Sequence, residues 1–207
     1  MSQANAYPEP SRLSYPHDER AHPWLRFAVD AYYTADVGVW QAIEQEEGKG
    51  RSLACAKGCS ACCRSHTTIP IFPLELLGLY WFVTLKLGAE VRLRLKPQLA
   101  GHEPGGPCPF LVDGACAVHP MRPLACRHFN VFGQVCAEGE DAYYSRREDV
   151  LTPIQSYQDA AFEAMLPFHG LTTEVQKRQA MQARYIQGQA RVLQDIDWGH
   201  LAVRIGD

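Results

Sequence analysis

Eight cysteines are the residues of this 207-residue chain best equipped for chemistry, and they are not scattered. Cys55, Cys59, Cys62 and Cys63 fall within nine residues. Cys108, Cys116, Cys126 and Cys136 follow, and no cysteine lies before Cys55 or after Cys136. Thiolates bind zinc and the iron of iron–sulfur clusters, and both sites gather four donors at about 2.3 Å. Cys59 and Cys62 form a Cys-x2-Cys pair, whose turn points two sulfurs inward while backbone amides face them. Cys55 adds a third sulfur from one turn earlier. Cys62 and Cys63 are adjacent, so their side chains diverge. Both serve as ligands most readily if there are two metals. With one metal, one of them faces the core or is a reactive thiol. The later cysteines are spaced by eight, ten and ten residues, too widely for a local knuckle, so folding must bring them in. Eight thiolates suit two four-cysteine zinc sites, two cubane clusters, or one four-ligand site with spare cysteines. His66, His119 and His128 lie beside the cysteines as substitute donors or as supports behind the ligands. Packing of cysteine as a small hydrophobe accounts for one or two such residues, not four in nine. A disulfide framework belongs to an oxidising compartment.

Bulk properties narrow the setting. A hydrophobic fraction of 46% and a charged fraction of 21% are those of a globular protein. The net charge of −3 supplies no basic field for a phosphate backbone, so nucleic acid is not an expected partner. The N-terminus has neither a charged n-region nor an apolar h-region, so the expected location is cytoplasmic, where clustered cysteines bind metals or do redox work. The longest apolar run, residues 69–85, contains Pro70, Pro73, Glu75 and Gly78. It reads as a buried core helix rather than a membrane span.

These elements must position the cysteines. Residues 1–22, with Pro8, Pro10 and Pro16, read as an irregular arm, and residues 23–207 as one domain. A helix is expected from Pro23 or Trp24 to Glu47, with Trp24, Phe27, Ala31, Ala35, Val39, Ala42 and Ile43 on one face. The cysteine module spans 53–137. Gly58 supplies a left-handed turn between Lys57 and Cys59. Residues 67–72 read as extended. Pro73 opens a helix to Leu87 with Gly88 as its stop, and a second helix over 89–96 ends at Pro97. Asp113-Gly114 predicts a tight hairpin that returns Cys116 toward Cys108. Residues 120–130 read as a short helical turn carrying Cys126. Helices are expected over 152–168 and from Thr173 to Asp195, within a C-terminal helical region 152–195; the second opens with a Thr173/Gln176 capping box. The fold class is therefore mainly α, with an irregular cysteine-rich metal module, including a possible short β-hairpin, packed between helices.

The order Cys-x3-Cys-x2-Cys-Cys, then Cys108-Pro-Phe-Leu, then Cys116-x2-His119-x2-Arg122-Pro123-x2-Cys126-Arg127-x-Phe129, then Cys136, resembles the bacterial YkgJ-like cysteine-cluster proteins. Those are described as zinc- or iron-chelating domains, and flagellin lysine N-methylases carry a similar cluster. The resemblance covers roughly residues 55–136. It implies that all eight cysteines are metal ligands, and that Arg122, Pro123, Arg127 and Phe129 are motif residues. The family commonly has tyrosine where this chain has His119. Arg122 and Arg127 are cofactor-binding candidates, because guanidinium groups stabilise an anionic thiolate cluster and raise its potential. The alternative is that they pair with acidic residues or cap the helix.

Three functions compete. The first is a metal-binding protein whose iron–sulfur cluster, 4Fe-4S by preference, or zinc is structural or redox-active. The second is an S-adenosylmethionine-dependent protein lysine methyltransferase-like enzyme. No Gly-rich nucleotide loop supports it, although Cys55, Cys59 and Cys62 have the radical-SAM spacing. The third is a zinc-stabilised module that docks a protein partner. Glu138, Glu140 and Asp141 read as a solvated acidic turn, and Lys177, Arg178, Arg184 and Arg191 as a solvated basic face.

Overall fold

The computed structural model describes residues 7–206. Part of the N-terminal arm, residues 1–6, lies outside them. The rest of the arm is not wholly irregular: Pro16 opens a short helix, α1 (Pro16–Ala21). It is fastened by Lys86 to Asp18 at 2.6 Å and by Arg12 to Glu19 and Asp30.

Helix α2 (Trp24–Gly48) is the long helix the apolar stripe predicts. Its inward face buries Leu25, Ala28, Ala31, Tyr32, Ala35, Val39 and Ile43, with Trp24 and Phe27 partly covered at its start. The first cysteine motif ends in a single turn, α3 (Ala61–Ser65), and a short strand, β1 (Pro70–Ile71), follows. Helix α4 (Pro73–Leu85) has Pro73 in its first turn, and Glu75 accepts from the Phe72 amide at 3.0 Å. It is buried along most of its length, as its uniformly apolar sequence requires.

Gly88 stands at the N-cap of α5 (Ala89–Ala100) rather than serving as the stop of α4. The helix also runs through Pro97 instead of ending before it. Proline there gives up one amide bond in the last turn. Continuing the helix buries Leu99 beside Leu95, one turn apart on the same face. That resolves the ambiguous Arg/Leu alternation as helical.

Strands β2 (Leu111–Val112) and β3 (Ala115–Cys116) form the expected hairpin, with Leu111 opposite Cys116. Asp113 and Gly114 have φ of 50° and 76°, the positive pair a tight hairpin needs. Helix α6 (Leu124–His128) carries Cys126, and α7 (Ala142–Ser145) follows Cys136. Helix α8 (Gln155–Met165) begins after Pro153, not on it, and continues as a 3-10 turn to His169. It lies along α2 closely enough that a Cβ on Gly38 would stand 2.4 Å from Tyr157 Cβ.

The Thr173/Gln176 capping box opens α9 (Glu174–Gln182), with Gln176 N donating to Thr173 Oγ1 at 3.3 Å. A single helix to Asp195 does not form. The chain turns at Arg184 (φ 50°) into α10 (Tyr185–Gly188), then strand β4 (Arg191–Val192) and α11 (Gly199–Arg204). The reason is tertiary. Strand β4 pairs antiparallel with β1, and Gln194 is fully buried. Its side chain accepts from Ile69 N at 3.1 Å and donates to the His66 carbonyl at 2.7 Å. A straight helix would leave those groups unpaired and Leu193 and Trp198 in water.

The result is mainly α, with two small two-stranded sheets among the described residues. One main core runs through α2, α4, α5, α8 and α11. A satellite core of Val131, Ala142 and Val150 sits beneath the cysteine-rich segment. No helix is long and apolar enough to cross a membrane, among the described residues.

Candidate metal centre

The two cysteine segments meet at α3. The Cys108 amide donates to the Cys63 carbonyl at 2.9 Å, which lays the second segment on the first. Cys108 is buried in the main core, and Cys63, Cys116 and Cys126 pack against it. The hairpin turns Cys116 back as its Asp-Gly predicts, and Ala117 N donates to the Phe110 carbonyl at 2.9 Å. Cys126 is held because the start of its helix is anchored: Leu124 N donates to Glu75 Oε1 at 2.6 Å.

The thiols here are close enough to shift one another. That of Cys63 is pushed up to about 12, first by its hydrogen bond with the Cys108 thiol, with burial adding and its bond to Cys62 opposing. Cys62 is raised first by its hydrogen bond with Cys63 and then by burial. Burial raises Cys126 well above the ordinary thiol range, with Cys62, Cys116 and Cys63 adding to it. Cys116 is raised by burial against the pull of the Val118 amide and of Arg122 and Arg127. A cationic partner is what such a desolvated set needs before it can ionise.

Cys55 and Cys136 pack against the satellite core. Ala54 N donates to the Val131 carbonyl at 2.8 Å, and Val131 N donates in return to Cys55 Sγ at 3.3 Å. Burial pushes Cys55 up to about 11, the Val131 amide pulls it down, and Cys59, Cys62 and Cys136 push it further up. Cys59 is exposed, its amide bonded to the Ala56 carbonyl at 3.0 Å around the left-handed Gly58 (φ 88°). Burial raises Cys136 too, and Arg146 opposes the shift.

Arg146 is a cysteine partner the sequence did not mark. It donates to Cys136 Sγ at 3.6 Å and to the Gln134 carbonyl at 2.9 Å. Glu140 and Asp149 hold the guanidinium in turn, at 2.8 and 3.1 Å. The acidic loop is thus a brace rather than a solvated turn: Arg146 holds the Glu140 carboxyl down to about 2, with Ser145 and the Ala137 amide helping. No local motif links Arg146 to Cys136, so only its tertiary partners expose it.

Arg127 takes the alternative role read from the sequence, an acidic pair. It is almost fully buried, 2.5 Å from Asp36 of α2, stacks 4.1 Å over the Tyr32 ring, and donates to the carbonyls of Pro120 and Arg122. Its donors are spent on protein oxygens, and only its field reaches Cys116. Arg122 contacts His119 and Tyr7. His66 stands 3.2 Å from Asp141 and edge-on to Phe129. Burial holds His119 and His128 down to about 4, with nearby arginine charge adding, so both rings are neutral.

All eight cysteines are free thiols. Among the described residues, no group of three or more His, Cys, Asp or Glu side chains is in place to hold a metal ion. The chemistry of the side chains is nonetheless selective: clustered thiols, most of them buried or half-buried, with amide and guanidinium donors aimed at Cys55, Cys116 and Cys136, suit zinc or iron–sulfur, not magnesium or calcium.

Residues 54–150 match the CxxCxxCC family model, described as "Putative zinc- or iron-chelating domain". The match takes in every cysteine and the Glu140–Arg146–Asp149 brace. No curated protein and no solved structure matches the chain. Neither the match nor the geometry supports the methyltransferase reading. The segment that gathers the sulfurs is the segment that is similar to a zinc- or iron-chelating domain.

Proposed function

We propose that this chain is a metal-binding protein whose cysteines hold zinc or an iron–sulfur cluster, and that the bound metal clips the cysteine-rich segment to the helical body. The observation that carries this is the joining of the two cysteine segments at α3, through the Cys108–Cys63 backbone bond and the Cys63–Cys108 thiol contact. Thiol contacts between residues far apart in sequence are a weak tie by themselves. A shared metal makes them a strong one, because its binding energy adds to folding. The ligands are Cys55, Cys59, Cys62, Cys63, Cys108, Cys116, Cys126 and Cys136. Arg122 and Arg127 act from behind, through charge near Cys116.

A bound cluster would supply electron transfer, and zinc a redox-inert crosslink. The chain's own contribution is to desolvate the sulfurs and to aim Val131 N at Cys55 and Arg146 at Cys136. Metal and sulfide analysis of anaerobically purified protein tests the reading. Zinc without sulfide assigns the crosslink, and iron with sulfide assigns the cluster. Protein that carries neither, and takes up neither after reconstitution under reducing conditions, overturns it.

A further inference from the structure

Resting on that reading, we infer that the eight cysteines form two four-thiolate centres, divided between the adjacent residues Cys62 and Cys63. The inner centre is Cys63, Cys108, Cys116 and Cys126. The outer centre is Cys55, Cys59, Cys62 and Cys136, and it is the one that exchanges its metal.

The division follows the packing. The four inner cysteines all belong to or border the main core. Cys55 and Cys136 border the separate satellite core of Val131, Ala142 and Val150. These are different apolar clusters, and of the two adjacent cysteines in α3 Cys63 borders the main core while Cys62 borders neither. Successive residues on a helix point about 100° apart. The Cys62 and Cys63 thiols still touch each other, and Cys62 neighbours Cys55 and Cys136 as well as Cys116 and Cys126, so it stands at the boundary between the two groups. Cys63 is committed inward: its side chain packs against the main core, and its thiol meets that of Cys108. The inner group then has its four thiols. The outer group has three without Cys62 and four with it, and a closed zinc or cubane site takes four.

The supporting groups divide in the same way. The amide of Val131 and the guanidinium of Arg146 reach only outer sulfurs, Cys55 and Cys136. The outer set contains exposed Cys59, on a turn with no packing around Gly58, whereas the inner set contains buried Cys108. A chelator therefore meets the outer centre first.

Anaerobic titration of metal-free protein with cobalt(II) alone tests the division, because tetrahedral cobalt thiolates have intense visible bands. Wild type is expected to bind two equivalents per chain with tetrathiolate spectra. Cys59→Ser and Cys136→Ser, and the double variant, are each expected to lose the same single equivalent and keep one unchanged tetrathiolate spectrum. In wild type, excess EDTA is expected to strip one equivalent at least ten-fold faster than the other. Failure to bind any cobalt overturns the division, and overturns the metal-binding reading itself where reconstitution also leaves neither zinc nor a cluster. A single equivalent in wild type, or loss of both in the Cys59 and Cys136 variants while circular dichroism stays native, overturns the division and leaves that reading standing. Equal stripping rates overturn the assignment of the outer centre as the exchanging one.

Discussion

The Cys108 amide donates to the Cys63 carbonyl at 2.9 Å. Through this bond the hairpin and α6 are laid against the first cysteine motif, and the thiols of the same two residues meet beside it. Few other backbone bonds join the segments, so metal is expected to contribute much of the cohesion there. Free metal held ~1,000-fold above its Kd stabilises by about 4 kcal/mol. In a chain of this size that raises Tm by about 8–16 °C. Scanning calorimetry with and without chelator, under reducing conditions, measures it; an unchanged Tm argues against a structural metal.

Glu75 is fully buried, and its carboxyl accepts from Leu124 N at 2.6 Å and Phe72 N at 3.0 Å. Glu75→Ala leaves both amides unpaired and is expected to cost about 2–5 kcal/mol in urea denaturation. Burial raises this carboxyl from 4.5 to about 7, against the two amides and Arg127. The folded state therefore holds the proton where the unfolded chain has lost it. Stability is expected to rise by roughly 3 kcal/mol as pH falls from 7 to 4.5, and to fall again on return. Glu75→Gln should flatten that part of the pH–stability curve.

The Asp36–Arg127 pair ties α2 to α6 at 2.5 Å, with the guanidinium buried. Burial raises the Asp36 carboxyl even though Arg127 pulls it down, so the pair is partly desolvated. Asp36→Ala strands a buried charge and is expected to cost about 3–5 kcal/mol. Replacing both partners, as Asp36→Ala with Arg127→Met, should recover part of the loss. Equal destabilisation of the single and double variants in denaturant titrations would show that Arg127 keeps its other partners at no cost.

Arg146 braces Cys136 from behind. Arg146→Ala is expected to weaken the more labile metal by about 10–100-fold, the usual effect of removing a group that supports a ligand. Competition with a chromophoric chelator reads this out. Arg146→Lys should be intermediate, because one ammonium cannot reach the sulfur, the carboxylates and the carbonyls at once.

Gly38 lets α2 and α8 touch. Gly38→Ala would place a methyl 2.4 Å from Tyr157 Cβ, where both atoms sit next to backbone. The helices must part, at a cost of about 1–3 kcal/mol. A gain in Tm would mean that the helices part freely.

Some of this was legible in order along the chain. The α2 stripe, the Asp113-Gly114 turn, the left-handed Gly58 and the Thr173/Gln176 cap all took the expected form, because each depends on residues within one or two turns of itself. The expectations that failed involved partners far away. Pro97 does not end its helix because Leu99 has a core to enter. The helix expected to reach Asp195 breaks because Gln194 pairs with Ile69 and His66 across the fold. Arg127 serves Asp36 from another helix, and Arg146 shows its role only beside Cys136.

By itself, then, the sequence determined the thiols: eight of them, their order, and the turns that carry them. It could do so because donor chemistry belongs to the side chain and turn geometry to its nearest neighbours. Only the tertiary structure decided which sulfur neighbours which, and which charges stand behind them. Adjacent Cys62 and Cys63 look equivalent along the chain. In the fold Cys63 packs on the main core and Cys62 on neither apolar cluster, because burial is a property of surfaces brought together from the whole chain.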